Sequence, residues 1–260
     1  MLISVEELYR MMNISSKSTL IIDTRSWHDY ISGHIPSAIN FDVFAFHWMD
    51  TSEHGINRFN EHLTTLLRSI GVTYDKSIVV YDDISGTLAA RGLWLLHYIS
   101  HNSSYMLDGG LYAWRSKGYS LEYRANKAEP LHGYSYRFDS SVIADYGYIL
   151  SRLDDDITII DARSEYEYKG LYVRAARGGH IPKAINIDWE NNITRDGRFK
   201  SIEELKGIYR LRSKEVICYC QGGYRAAHTY VALRLLGLNA KVYLGSWYEW
   251  GNRYELPIES

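Results

Sequence analysis

Thr158-Ile159-Ile160-Asp161-Ala162-Arg163-Ser164 reads as a short β-branched strand running into a polar turn. The same reading applies 138 residues earlier, to Leu20-Ile21-Ile22-Asp23-Thr24-Arg25-Ser26. Two further segments recur in the same order. Gly33-His34-Ile35-Pro36-Ser37-Ala38-Ile39-Asn40 returns as Gly179-His180-Ile181-Pro182-Lys183-Ala184-Ile185-Asn186, and Gly109-Gly110-Leu111-Tyr112-Ala113-Trp114 as Gly245-Ser246-Trp247-Tyr248-Glu249-Trp250. Three matches in one order indicate a duplicated domain, and two copies of this length fit paired globular domains better than a solenoid. Within the copies, strand-like runs (Leu20 to Ile22, Ser77 to Tyr81, Ile157 to Ile160, Glu215 to Tyr219) alternate with helical patterns. Ser4 with Glu7 and Ser201 with Glu204 fit capping boxes, and the helical run Arg225 to Leu236 stops at Gly237. Alternation of this kind predicts an α/β fold for each copy, a mainly parallel sheet with helices on both faces. The stretch Tyr123 to Arg137 holds Pro130, Gly133 and several charges without a clear period. It reads as a linker, so the expected organisation is a domain over 1–122, a linker over 123–137 and a domain over 138–260.

Composition bounds the function. At 260 residues the chain suits two domains, each large enough to bury a core without disulfides or metals. Hydrophobic residues at 46% and charged residues at 23% are ordinary for a globular protein. A formal net charge of -2 gives no reason to expect a nucleic-acid or acidic-membrane partner, so a positive field for an anionic substrate has to be local. The two cysteines, Cys218 and Cys220, would have Cα atoms about 6.5 Å apart on an extended segment, near the upper limit for a disulfide. Nothing therefore points to an oxidising compartment. Acidic residues follow too soon after Met1 for a signal peptide, and no run of about 18 apolar residues occurs, so a cytoplasmic location is expected. No metal-ligand spacing, dinucleotide glycine fingerprint or phosphate-loop lysine motif is present, and neither metal nor cofactor is expected.

The chemistry is expected in Val216-Ile217-Cys218-Tyr219-Cys220-Gln221-Gly222-Gly223-Tyr224-Arg225-Ala226-Ala227-His228, which reads strand, tight loop, helix. Ligands of open α/β sheets bind beyond the carboxyl ends of the strands, and Cys220 stands at that point. Gly222 and Gly223 allow consecutive N–H groups to turn inward as an anion-binding nest. The following helix adds its positive end, and Arg225 adds a permanent charge. All of these favour an anionic sulfur at Cys220, the nucleophilic form of a cysteine. The competing reading is an inert buried cysteine at a strand end, which needs neither the Gly-Gly turn nor the arginine.

With these residues in view, the sequence resembles the two-domain thiosulfate sulfurtransferases, or rhodaneses. The Cys-x-x-Gly-x-Arg loop, the Gly-His-Ile-Pro turn and Gly245-Ser246-Trp247-Tyr248-Glu249-Trp250-Gly251-Asn252 carry the resemblance, which covers nearly the whole chain. It implies two tandem rhodanese-like domains and a double displacement. Cys220 takes the outer sulfur of thiosulfate as a persulfide, sulfite leaves, and the sulfur passes to cyanide, a thiol or a protein acceptor. The partners so implied are a small anionic donor and a thiophilic acceptor. Cys220 lies 138 residues after Asp82, so the first copy presents an aspartate where the second has the nucleophile, and the first domain is expected to be catalytically silent.

The repeat also weighs the supporting residues. Arg225 is either an anion-binding group beside the nucleophile or a helix-start arginine with carboxylate partners. The pairs Asp161 with Asp23, Arg163 with Arg25 and His180 with His34 recur in the silent copy, which favours structural roles for Asp161 and His180 and leaves Arg163 between the crevice and a structural ion pair. The second copy carries eight additional residues between Arg163 and the Gly-His-Ile-Pro turn, and this insertion holds Lys169, Arg174 and Arg177. Many relatives place a substrate-binding arginine in this region. Glu167 stands at the matching position here, which leaves Lys169 and Arg177 as expected substitutes beside the loop residues Gln221, Gly222, Gly223, Tyr224 and Arg225. Cys218 reads as core packing or as a resolving thiol, and Trp247, opposite Leu111 in the repeat, as a pocket or interface residue.

Other functions remain in competition. A cysteine-dependent phosphatase would have one residue more between cysteine and arginine. A 3-mercaptopyruvate enzyme would usually carry Cys-Gly-(Ser/Ala)-Gly-Val-Thr, whereas Arg225 favours a dianionic donor. A sulfur-relay protein with little turnover would keep nearly the same residues. A dead interaction domain conflicts with cysteine, glycines and arginine appearing in one copy only.

Overall fold

The structure is a computed structural model that describes residues 1–14, 18–211, 213 and 215–260. The chain forms two compact units. Residues 1–47, 60–139 and 194–199 make the first; residues 48–59, 140–193 and 200–260 make the second.

In the first unit the strands are β1 (Leu2–Ile3), β2 (Thr19–Asp23), β3 (Ile39–Asn40), β4 (Ser77–Tyr81) and β5 (Ser104–Leu107), all parallel, in the order β1-β5-β4-β2-β3. Around them run α1 (Val5–Ile14), α2 (Trp27–Ile31), α4 (Thr87–Tyr98), α5 (Gly110–Ser116) and the later part of α3 (Glu53–Ser69). The second unit repeats the plan with β6 (Ile143–Ala144), β7 (Thr158–Asp161), β8 (Ile185–Asn186), β9 (Glu215–Tyr219) and β10 (Asn239–Tyr243) in the order β6-β10-β9-β7-β8. Its helices include α6 (Tyr146–Ser151), α7 (Glu165–Tyr168), α8 (Ile202–Ile208), α9 (Tyr224–Leu235) and α10 (Ser246–Trp250). The chain thus has two parallel five-stranded sheets, each with helices around it.

Burial explains the strand composition. A parallel strand covered on both faces has no solvent side, so it reads as a continuous apolar run. Val79, Val80 and Tyr81 in β4, and Ile217, Cys218 and Tyr219 in β9, are all buried. The expected capping boxes form: Glu7 N–H donates to Ser4 Oγ at 3.2 Å and Ser4 N–H to Glu7 Oε2 at 2.8 Å, with the same exchange between Ser201 and Glu204. Strand β7 starts one residue later than the sequence pattern suggests, because Ile157 N–H is spent on Asp155 O in the preceding turn. The segment 123–137 has neither helix nor strand, and it is fastened along the first unit. Asn126 N–H donates to Tyr30 Oη, Leu131 N–H to Arg68 O and Tyr136 Oη to Val72 O.

The repeated motifs do the same structural work in each unit. Arg163 donates to both carboxylate oxygens of Asp161 and to Gly179 O; Arg25 does so to Asp23 and Gly33 O. Tyr219 Oη accepts Ile181 N–H at 3.1 Å, and Tyr81 Oη accepts Ile35 N–H at 3.0 Å. The Asp-x-Arg and Gly-His-Ile-Pro segments therefore lock the turn after the first long strand against the central strand.

Candidate active site

Cys220 follows the last residue of β9, where the chain leaves the sheet at its carboxyl end. Its backbone is held on both sides: Cys220 N–H donates to Ser246 Oγ, and Cys220 O accepts Trp247 N–H at 2.9 Å. The loop then turns through Gly223 at φ +88°, a left-handed conformation in which a side chain would be strained. That turn aims Gly223 N–H back at Cys220 Sγ, with N and S 3.1 Å apart. Helix α9 starts at Tyr224, one residue ahead of the expected start, with Ala227 N–H closing its first bond onto Gly223 O. The sulfur consequently lies against the positive end of a 12-residue helix. Cys220 is 1% exposed.

The first copy shows what this backbone arrangement accommodates. Asp82 follows β4 as Cys220 follows β9, and Asp82 O accepts Leu111 N–H as Cys220 O accepts Trp247 N–H. The Asp82 carboxylate receives N–H groups from Gly86, Leu88 and Ala89 at 3.0, 3.1 and 3.0 Å. An anion thus fills the loop and helix terminus of the first unit. Burial pushes the Asp82 carboxyl up to about 6, and the bonds from Ala89 and Gly86 keep it from rising further.

Arg225 is engaged by a carboxylate. Its two terminal nitrogens donate to the two oxygens of Glu167 at 2.6 and 2.8 Å. Glu167 also closes the capping box of α7, accepting from Ser164 N–H and Oγ, and Arg174 Nη1 lies 3.8 Å from its Oε1, the oxygen that also accepts from Arg225 Nη2. Burial would raise the Glu167 carboxyl, but Arg225 and Ser164 outweigh it and hold it at about 2. Burial likewise opposes the Arg225 charge, while Glu167 and then Cys220 favour it, for a net rise.

The remaining expected residues are placed as follows. Gly222 and Tyr224 are buried in the loop and the first turn of α9. Gln221 ties the loop to its surroundings: Gln221 O accepts Tyr248 N–H, and its Nε2 donates to Arg174 O in the insertion. Lys169 is exposed and paired with Glu165 at 2.5 Å. Arg177 spends its guanidinium on the carbonyls of Trp250, Gly251, Arg253 and Leu256, which staples the insertion to the C-terminal motif. The structure gives Lys169 and Arg177 these other partners, and of the insertion's cations Arg174 is the one beside the Arg225–Glu167 pair. Trp247 is buried, with its indole N–H on Arg177 O and Arg163 stacked 4.5 Å over its ring. Cys218 is fully buried in β9, and burial, then the neighbouring Cys220, pushes its thiol far up. Its sulfur is suited to packing.

Sequence reasoning noted Glu167 only as a departure from a pattern, and passed over Arg174. A signal was available in the repeat. Glu167 falls opposite Asp29 and Arg225 opposite Thr87, so the longer acid and the arginine occur together, in the cysteine copy alone.

Comparisons with known proteins identify the family. The family model described as "Rhodanese-like domain" matches residues 4–117 and 147–253. The chain is similar to a thiosulfate sulfurtransferase of Pseudomonas aeruginosa, 34% identical over 254 residues that cover 95% of this chain and 93% of that protein. It is 33% identical to a thiosulfate sulfurtransferase of Azotobacter vinelandii, with the same coverages. Among solved structures, the anaerobic ergothioneine biosynthesis enzyme from Chlorobium limicola superposes with a TM-score of 0.87 at 22% identity, covering 100% of this chain and 70% of that one, a likeness of fold. With its cysteine loop and its twice-matched domain model, this chain belongs to the rhodanese family, as a protein of two tandem rhodanese-like domains.

Proposed function

We propose that the chain is a thiosulfate sulfurtransferase whose nucleophile is Cys220 and whose first domain is catalytically silent. The observation that carries this reading is the pair of equivalent loops. The loop after β4 satisfies an internal carboxylate with three N–H groups, and its counterpart after β9 presents a sulfur to Gly223 N–H at the mouth of α9. A backbone built for an anion at that position suits both a thiolate and the persulfide anion it becomes.

The reaction conserves charge in both halves. The Cys220 thiolate attacks the outer sulfur of thiosulfate; the S–S bond to the sulfonyl group breaks, and sulfite leaves with the electron pair. Cyanide or a thiolate then attacks the terminal sulfur of the persulfide, and the Cys220 thiolate is released. No proton has to move in the first half. The residues assigned to the loop are Gln221, Gly222, Gly223 and Tyr224 for its shape and amides, and Arg225 for the charge beside the sulfur. Both cysteines are free thiols, which suits a reducing, cytoplasmic setting.

The test is mass spectrometry of the intact chain after thiosulfate, with thiocyanate formation measured in parallel. Cys220→Ser should abolish both the added sulfur atom and turnover, and Cys218→Ser should spare both. Sulfur transfer surviving in Cys220→Ser would remove the assignment.

A further inference from the structure

The anion-binding loop carries its own counter-charge. Arg225, the cation nearest the nucleophile in sequence, is closed off by a bidentate bond to Glu167, whose side chain is 5% exposed. The neighbouring Asp161–Arg163 pair cancels in the same way, and the Lys169–Glu165 pair cancels at the surface. What remains beside Glu167 is Arg174, half exposed and 3.8 Å away, on the insertion that Gln221 fastens to the cysteine loop. Two guanidinium groups thus share one carboxylate, and this end of the loop carries about one net positive charge where Arg225 and Arg174 alone would give two.

Capping does not explain the choice of glutamate. Asp29 of the silent copy fills the equivalent place: it bonds Ser26 Oγ at 2.6 Å, and Ser26 Oγ accepts Asp29 N–H in return. A shorter acid is therefore enough to start this helix. Only in the cysteine copy does the acid reach an arginine on the helix that follows the nucleophile. We propose that Glu167 is a positioning residue that sets donor selectivity. It fixes the guanidinium of Arg225 beside Cys220, and by cancelling that charge it weakens binding of doubly charged donors more than that of singly charged ones. The site is in this way tuned toward the singly charged persulfide it has to hold, at the expense of affinity for the dianion that loads it. This inference rests on the sulfurtransferase reading for its substrates.

Donor charge is the readout. Thiosulfate carries two negative charges. Methanethiosulfonate presents the same sulfur–sulfur bond with a methyl group in place of one oxygen and carries one. Glu167→Gln removes one negative charge and keeps an oxygen for Ser164. It should lower KM about tenfold for thiosulfate and about threefold for methanethiosulfonate, because the effect on log KM scales with donor charge. Arg225→Gln leaves Glu167 only Arg174, lowers the local charge from about one to about zero, and should shift both constants in the opposite direction with the same two-to-one ratio. The dissociation constants of sulfate and methanesulfonate, measured by calorimetry, should follow the same pattern without any turnover. That arm separates the inference from the reading beneath it: loss of sulfur transfer in the wild type would end the latter and leave the anion-binding ratios to decide the former. Equal shifts for both charges, or a fall in kcat with KM unchanged, would overturn the role given to Glu167, since a merely structural residue acts on all donors alike.

Discussion

Breaking the Arg225–Glu167 pair one partner at a time measures how much of the loop's order depends on it. In the folded chain Glu167 is held at about 2, against 4.5 for a free glutamate, a difference equivalent to ~3 kcal/mol. Part of that comes from Ser164, and solvent screening at the open edge of Arg225 removes more, which leaves ~2 kcal/mol for the pair itself. Arg225→Ala leaves the buried carboxylate only Ser164 and the more distant Arg174, and should destabilise the second unit by about 3 kcal/mol. Glu167→Ala loses the cap of α7 as well as the pair. The double variant should be more stable than the sum of the two losses by ~2 kcal/mol, because the capping loss cancels in the cycle. Glu167 is depressed in the folded state, so its contribution is complete above 4.5 and fades as the pH falls toward 2. Urea unfolding followed by tryptophan fluorescence at pH 7 and pH 3.5 reads both quantities. A coupling below about 0.5 kcal/mol at pH 7 would refute the view that this pair orders the site.

Two further outcomes test the cradle itself. Asp82 holds its proton more tightly in the folded chain, at about 6, than in the unfolded one, at 3.8, so its contribution is complete below 3.8 and disappears as pH rises through 6. Between pH 4 and pH 7 the wild type should therefore lose up to ~3 kcal/mol that Asp82→Asn does not lose. Parallel urea titrations returning equal pH slopes would sink that account. Gly223→Ala puts a side chain at φ +88° and should cost ~1–2 kcal/mol while slowing persulfide formation on Cys220. Gly133→Ala, at φ +72° with open space around the added methyl, is the control: a similar loss of stability with normal persulfide formation, read by stopped-flow thiosulfate loading.

Most of the architecture was legible because it is written in local patterns. The recurrence of Leu20 to Ser26 as Thr158 to Ser164 announced the duplication, and apolar runs alternating with capped helices announced parallel sheets. Cys220 was legible for a related reason. A strand end, a Gly-Gly turn and a helix start are consecutive in sequence, so their geometry follows from backbone preference alone. The repeat gave Asp161 to the scaffold and left Arg163 open; in the folded chain Arg163 donates to Asp161 and to Gly179 O.

The charges were another matter. Whether a guanidinium meets a substrate or a protein carboxylate depends on which side chains, distant in sequence, arrive at the same place. Arg225 and Glu167 are 58 residues apart, and Arg177 reaches carbonyls more than 70 residues on. Long cations adopt whichever partner the packed chain presents, and no local pattern encodes that choice. The sequence by itself determined two rhodanese-like domains and put Cys220 at the turn between a strand end and a helix start. Only the tertiary structure decided which carboxylates and carbonyls the cations around that residue meet, because side-chain pairing is a property of elements brought together and not of any one of them.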